Sequence, residues 1–481
     1  MHDLLSHARE QFLAYGLEAA LFSIAGFALA LFFVARLMGE RRAPANTFAW
    51  ILVIVLLPWV GVPLYLLLGG RKLRRLVERK VRVRPTLPPG ANPSPPITVS
   101  PTVQTILSAG GTPPVAGNAV RLLTTGEDAH AAFEHHIRTA RSHIHIAAFI
   151  LGRDDTGRRL VKLLAQRARE GVTVRVLLDG LGSFVSSHGF VNPIRRAGGQ
   201  VARFMPVLPF TSRGSANLRN HRKIAVFDHN TAIVGGHNLA REYMGPTRRA
   251  KRWRDFGAVV DGPAAVLLNE VFIADWCFAT RAPEAALRAE LPPGCAERTP
   301  GSAELQVVAS GPDVPGDPLY EGIVSMIQEA SRSIWIVTPY FVPDDVLARS
   351  LIVKARAGRE VTVITPRRSD HPIADFARRH YLRELQRAGG RVLYFGPGML
   401  HSKALIVDDC VALFGSPNID QRSLFVNFEI GVFVLSPPEV TAMKAWAVDL
   451  AGNCQVPNLE RRRRLLGNVA EDLSRLLAPL L

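Results

Sequence analysis

Two copies of one short pattern hold the residues best suited to chemistry. His221-Arg222-Lys223 is followed by Asp228, and His401-Ser402-Lys403 by Asp408, so both copies read H-x-K-x4-D. Each runs into a glycine-rich turn and an asparagine, Gly235-Gly236-His237-Asn238 in the first and Gly415-Ser416-Pro417-Asn418 in the second. Two imidazoles and two ammonium groups meeting in one site suit phosphoryl transfer. One imidazole attacks phosphorus, the other protonates the departing alkoxide, and cations and amides neutralise the non-bridging oxygens. That scheme requires no metal and no cofactor. A single His two before a Lys is common and usually means nothing; the repeat with matching tails carries the reading.

Elements must bring these side chains together. Ile224-Ala225-Val226-Phe227 and Ala404-Leu405-Ile406-Val407 read as short buried strands, and residues two apart on a strand share a face, so each His and Lys should project together. Asp228 and Asp408 complete the catalytic motif but lie seven positions beyond their histidines, the wrong parity for that face. Asp228 also opens the turn-like Asp228-His229-Asn230. These aspartates are expected to brace the motif. A nucleophilic histidine needs a carboxylate on its second ring nitrogen. Asp255 in Trp253-Arg254-Asp255 and Glu429 in Asn427-Phe428-Glu429 are the candidates downstream.

From Gly117 onward the chain is built twice. Ile144–Ile150 matches Ile334–Tyr340, Val172–Leu177 matches Val361–Ile364, and the first motif matches the second, at offsets of 190, 189 and 180 residues. Strands rich in Val and Ile alternate with helical stretches such as Asp128–Ala140 and Gly157–Glu170, which implies α/β layers on a mostly parallel or mixed sheet. The halves are placed at 118–295 and 296–481.

The first 70 residues read as a membrane anchor. Ala19–Ala35 is an uncharged apolar run and Thr47–Gly70 a second, with Trp50, Trp59 and Tyr65 placed as interface anchors. The expectation is a hairpin of two transmembrane helices, about 17–37 and 47–69, the second either kinked or partly re-entrant at Pro58, Gly61 and Pro63. A cleaved signal peptide is the alternative for the first run, but Asp3 and Glu10 against Arg9 give no positive leader. Eight basic side chains in 71–84 plus Arg9 face three in the connecting loop, Arg36, Arg41 and Arg42, which places the N-terminus and the catalytic part in the cytoplasm. Residues 85–117, with nine prolines, read as a linker.

A formal charge of +17 attracts nucleic acid or an anionic bilayer equally well, and the apolar spans decide for lipid. The segment from Arg461 to Leu481 fits either a helix on the membrane or one packed on the second half. Cys277, Cys295, Cys410 and Cys454 are far apart, without C-x-x-C pairing, and are expected to be buried, inert thiols in a reducing compartment. His135-His136 and His143-x-His145 lack ligand-spaced carboxylate or cysteine partners and are read as solvated histidines.

With these motifs in hand, the chain resembles the phospholipase D superfamily and, within it, the bacterial cardiolipin synthases. The likeness includes Asn220-His221-Arg222-Lys223, Asp275-Trp276, Thr338-Pro339-Tyr340-Phe341-Val342-Pro343, and Asn418-Ile419-Asp420-Gln421-Arg422-Ser423, and covers nearly the whole chain. The resemblance implies two phospholipase D-like α/β halves packed as a pseudo-twofold pair behind the two-helix hairpin, in a bacterial inner membrane, with phosphatidylglycerol as the anionic lipid substrate and no nucleic acid. It also implies that His221 attacks one phosphatidylglycerol, His401 protonates the departing glycerol and then activates a second one, and cardiolipin is released from a phosphatidyl-histidine intermediate. The acid on each half's following strand is then expected to hold that half's histidine, pairing His221 with Asp255 and His401 with Glu429. Lys223, Lys403, Asn238 and Asn418 would bind the non-bridging oxygens, and Ser416 would offer a hydroxyl that Gly236 cannot. A hydrolytic phospholipase D, a related nuclease and a non-catalytic membrane scaffold are the competing readings. Oligomeric state is not legible.

Overall fold

The computed structural model describes residues 2–38, 44–68, 100–206, 218–290 and 298–459. The basic cluster 71–84, Arg41 and Arg42, Cys295 and the segment from Arg461 onward lie outside the described residues.

In the first unit, a helix spans His2–Met38 and two shorter ones span Pro44–Leu56 and Pro58–Leu68. Glu18–Met38 is long and apolar enough to cross a bilayer. The second apolar run, expected as one kinked or partly re-entrant span, is instead two helices broken at Leu57. Proline at 58 removes the donor that would continue the first, and Gly61 packs where a Cβ would lie 2.5 Å from the Val53 carbonyl. Phe33, Leu37, Ile54 and Tyr65 pack together in this unit, while Phe22, Phe27, Leu31, Phe32 and Leu52 remain exposed. An exposed apolar surface of this kind marks an interaction with lipid or protein.

The second unit is organised on one mixed sheet of 15 strands. Its first half contributes β1 (Val115–Leu123), β2 (His143–Ala148), β3 (Thr173–Asp179), β4 (Gln200–Phe204), β5 (Ile224–Phe227), β6 (Thr231–Gly235) and β7 (Gly257–Asp261). Its second half contributes β8 (Ala303–Ser310), β9 (Ser333–Val337), the short β10 (Phe341–Val342), β11 (Glu360–Pro366), β12 (Arg391–Phe395), β13 (Ala404–Val407), β14 (Val411–Gly415), β15 (Ile419–Asp420), β16 (Glu429–Val434) and β17 (Cys454–Gln455). β10 and β15 form a separate parallel pair. Read from one edge, the order is β4-β3-β2-β5-β6-β7-β1 and then β8-β16-β14-β13-β9-β11-β12-β17. Apart from the added β17, the second series is the first in reverse, as expected for two duplicated halves joined edge to edge. Within each half three strands run parallel and the others are antiparallel.

The seam is the antiparallel contact of β1 with β8, which pairs Val115 with Leu305 and Asn118 with Ala303 around an irregularity. Asn118 is fully buried there: its amide donates to the carbonyls of Val115 and Ala303, and its carbonyl accepts from Ala264 N at 2.8 Å. One apolar layer, including Ile224, Val260, Leu305, Ile406 and Val432, crosses the seam, and separate cores fill the other face of each half. The helix Pro263–Thr280 is apolar enough to pass for a membrane span, but it is largely buried in this unit. The helix Asp155–Arg169 shows how sequence selects a face. Asp154 caps its first turn through Gly157 N, Leu160, Leu163 and Leu164 face inward, and Arg158, Arg159 and Lys162 face out.

Residues 100–117, expected as the end of a linker, are folded. The helix Pro101–Ser108 buries Ile106 in the second half's core, Thr105 hydrogen-bonds Ser325, and β1 begins at Val115. Proline at the first helical position and the Ser100 cap permit this start, so a proline-rich composition alone misplaces the boundary.

Asp228 and Asp408 brace the backbone, as their parity suggested. The Asp228 carboxylate accepts from Arg141 N, Ser142 N and His143 N, closing the start of β2; Asp408 does the same for Ser331 N, Arg332 N and Ser333 N at β9. Both hold positive φ, 48° and 53°, in the turn after their strand. Burial works to raise both carboxyls, but these backbone donors outweigh it and hold them below the usual range. Asp228→Ala should therefore destabilise the protein by about 1–3 kcal/mol, lowering the melting temperature by about 2–6 °C, with turnover per folded molecule unchanged. Differential scanning fluorimetry beside an activity assay checks this; a dead but fully stable variant would place Asp228 in the chemistry.

Candidate active site

His221 and His401 sit on the extended run-ins to β5 and β13, just before either strand begins. Two backbone clasps fix them to the opposite half. His221 N donates to Phe428 O at 2.9 Å and Phe428 N to Arg219 O at 2.9 Å; His401 N donates to Arg254 O at 2.7 Å and Arg254 N to Met399 O at 2.8 Å. In each clasp the partner residue immediately precedes an acid, Glu429 or Asp255.

The clasps overturn the expected pairing. His221 Nδ1 lies 2.9 Å from Glu429 Oε1, and His401 Nδ1 lies 2.6 Å from Asp255 Oδ2. Each imidazole is thus oriented by the carboxylate of the other half. The expectation followed chain order, in which each acid trails its own histidine. In three dimensions β7 and β16 flank the seam strands, so the residues leading into them face the opposite motif. Both acids are fully buried.

The two acids are held differently. Glu429 accepts from the Ser416 hydroxyl and from Asn427 Nδ2 at 3.4 Å, and Ser416 Oγ also accepts from Ile430 N. Asp255 accepts from Phe256 N at 2.8 Å, and a Cβ on Gly236 would fall 2.0 Å from its Oδ1. The first half therefore combines glycine with the shorter acid where the second combines serine with the longer one. That is the physical reason for the Gly236/Ser416 asymmetry: Ser416 supports a carboxylate, and Gly236 leaves room for one.

Lys223 and Lys403 complete the constellation. Lys223 Nζ donates to His221 O at 2.8 Å, and Lys403 Nζ donates to His401 O and lies 2.9 Å from the ring nitrogen His401 Nδ1. Burial and then the charge of Lys403 push Lys223 down to about 7; burial likewise brings Lys403 to about 8. Burial, with the two lysines, takes His221 to about 4 and His401 well below its usual value. The lysine of each motif acts on the histidine of the other, which shows that the four groups converge. Burial raises Asp255. Glu429 feels the same burial, but His221, Lys223 and Ser416 hold it below the ordinary carboxylate range. Two imidazoles, two lysines and two buried carboxylates thus share one site.

Asn238 and Asn418 both hydrogen-bond protein partners, although the buried Asn418 Oδ1 is left without one. Asn238 Oδ1 accepts from Ile150 N at 3.2 Å and the side chain bonds Tyr243, while Asn418 Nδ2 donates to Ser423 Oγ at 3.1 Å. They support the walls of the pocket. Phe149 packs edge-on against His221, and Tyr243 and Trp253 flank His401 with ring centroids 5.0 and 5.6 Å away.

Arg222, the variable residue of the first motif, was not singled out as a site residue. Its fully buried guanidinium pairs with Asp275 at 2.6 Å and donates to Ser310 O and Glu429 O, both of the second half, each at 3.0 Å. Asn220 joins the network by donating to Asp275 and, through its backbone, to Asp179. Asp275-Trp276 in the sequence was the one signal available. Of the histidines expected to be solvated, His135 is exposed and His136 and His143 are half-buried, but His145 is buried, with Nδ1 2.8 Å from Asn269 Oδ1 and Nε2 3.1 Å from Arg175. Among the described residues no group of three His, Cys, Asp or Glu side chains could hold a metal. Cys277, Cys410 and Cys454 carry free thiols, and Cys410 is exposed rather than buried.

Comparison with known proteins agrees with this geometry. The family described as "Cardiolipin synthase, PLD-like domain" matches residues 133–276 and 323–449, and "Phospholipase_D-nuclease N-terminal" matches 27–70. The chain is 33% identical over 477 residues to the cardiolipin synthase of Geobacillus kaustophilus, covering 96% of this chain and 94% of that one. It is 34% identical to the cardiolipin synthase of Alkalihalophilus pseudofirmus, covering 92% and 90%. The crystal structure of Haemophilus influenzae phosphatidylserine synthase aligns with a TM-score of 0.61 over 79% of this chain and all of that chain at 15% identity, which shows a shared fold. The chain belongs to the cardiolipin synthase family of phospholipase D-like proteins.

Proposed function

We propose that this protein is a membrane-bound phosphatidyltransferase that makes cardiolipin from two molecules of phosphatidylglycerol. The observation that carries the reading is the pair of histidines, each seated on a buried carboxylate from the opposite half, with two ammonium groups in the same pocket. His221 Nε2 attacks the phosphorus of the first phosphatidylglycerol. His401, whose proton affinity rises when the phosphodiester anion enters, protonates the leaving glycerol oxygen. A phosphatidyl group now rests on His221, and Glu429 stabilises the resulting imidazolium. His401, having lost its proton, takes one from the primary hydroxyl of the second phosphatidylglycerol. That oxygen attacks phosphorus, the bond to His221 breaks, and cardiolipin leaves. Lys223 and Lys403 neutralise the non-bridging oxygens in both transition states.

The unequal carboxylates support His221 as nucleophile: His221, Lys223 and Ser416 hold Glu429 below the usual carboxylate range while burial raises Asp255, and the acid that ionises more readily is the better partner for a cationic intermediate. The apolar first unit supports attachment to the membrane. We assign it as a hairpin in the bacterial inner membrane with the catalytic unit in the cytoplasm, on the excess of basic residues flanking it. Phosphatidylglycerol alone, followed by lipid mass spectrometry beside a His221→Ala control, tests the reaction. Cardiolipin with matching glycerol is expected, falling by about 1,000-fold or more in the variant; phosphatidic acid as sole product would make the protein a hydrolase.

The crossed pairing has its own test with phosphatidyl-p-nitrophenol, whose leaving group needs no proton. Glu429→Gln should slow nitrophenol release by about 100–10,000-fold, whereas Asp255→Asn should release a burst and stall at the adduct on His221. Reversed behaviour of the two variants would restore the pairing within halves. The pH profile follows from the lysines: with values lowered to about 7 and 8, their ammonium forms are present below and lost above that range. kcat/KM should fall as pH rises through 7–8, and on the acid side only as His221 protonates near 4. A flat profile up to pH 9 would contradict this electrostatic description.

A further inference from the structure

A second basic site lies outside the histidine pocket. A cavity of about 700 Å³ opens between the helices Gly126–Thr139 and Asp155–Arg169 and the loop 239–253. Arg138, Arg158, Arg159 and Lys162 enter it from the helices, Arg249 and Arg252 from the loop, and Asp155 is the only acid in its lining. Its volume is within the roughly 300–1,000 Å³ of ligand pockets, but its lining is cationic where most such pockets are apolar. Arg158, Arg159 and Arg252 are partly neutralised by Asp155, Glu134 and Glu127. Lys162 and Arg249 have no ion-pair partner among the described residues, and the buried Arg252 Nε is unbonded. Cations drawn from three segments around a concavity, with donors left over, match a phosphate better than they match water alone.

The loop ties this cavity to the chemistry. Arg241 N donates to Asp154 Oδ2, the cap of the second helix; Thr156 Oγ1 donates to Met244 O, and Gly245 N to Gly126 O at the start of the first. The same loop carries Tyr243 and Trp253, which flank His401, and Trp253 directly follows Arg252. We propose that this cavity binds the phosphate of an anionic phospholipid headgroup, at a site separate from the histidines and coupled to them through the loop 239–253. The inference rests on the protein working at an anionic bilayer. There the cavity would hold a second lipid while the histidines process the first, making turnover depend on the density of anionic lipid.

The test uses the full-length protein in neutral detergent micelles. In the His221→Ala background, native mass spectrometry counts bound dihexanoyl-phosphatidylglycerol with and without the Lys162→Glu/Arg249→Glu pair. One fewer bound headgroup is expected in the charge-reversed protein. In the otherwise wild-type enzyme the same pair should raise the phosphatidylglycerol mole fraction for half-maximal rate by about fivefold or more, with the maximal rate and melting temperature little changed. Lys162→Arg should behave as wild type, separating charge from packing. Equal lipid counts and equal half-saturation would overturn the proposal. So would displacement of the extra lipid by about 10 mM inorganic phosphate, which would assign the cavity to a free anion. Product formation by the wild type reports on the reaction itself, so either inference can fail without the other.

Discussion

Each reactive histidine is held by the half of the molecule that did not supply it. The main-chain clasps of His221 with Phe428 and of His401 with Arg254 fix the imidazoles before any side-chain bond is made, and Glu429 and Asp255 then complete the hold. Neither half alone contains a correctly oriented histidine. The joined sheet, the apolar layer across the β1–β8 seam and the exchanged carboxylates are parts of one requirement: two imidazoles must face one phosphorus from opposite sides.

Burying this many charges without substrate has a cost that the structure offsets locally. Each lysine donates to the carbonyl of its own histidine, and Arg222 has Asp275 and two carbonyls. Buried charges survive only when paired or hydrogen-bonded, and these contacts supply that pairing. Burial is the chief reason that His221, Lys223 and His401 hold their protons less tightly than usual, and the neighbouring cations add to it.

Within the site the pseudo-symmetry is broken at the two carboxylates. Ser416 with Glu429 occupies the volume that Gly236 with Asp255 occupies on the other side, and the two carboxyls are shifted in opposite directions, Glu429 below its usual range and Asp255 above it. Arg222 against Ser402 is a second such difference: the guanidinium reaches across to the opposite half, while Ser402 Oγ makes one bond to Arg254 O.

The duplicated H-x-K-x4-D pattern, the strands Ile224–Phe227 and Ala404–Val407, the repeat offsets and the bracing role of Asp228 and Asp408 were legible in the sequence, because they depend on local periodicity and on side chains satisfying nearby backbone. The apolar N-terminus was legible for the same reason, though the break at Leu57 that makes its second run two helices came only with the packing of Gly61 against Val53. Residues 100–117 were misread because a proline-rich stretch becomes a helix only when the second half supplies a core for Ile106. The crossed pairing of His221 with Glu429 and His401 with Asp255 was beyond the sequence. It is set by which strands meet at the seam, a contact between residues some 150–200 positions apart that no local preference encodes.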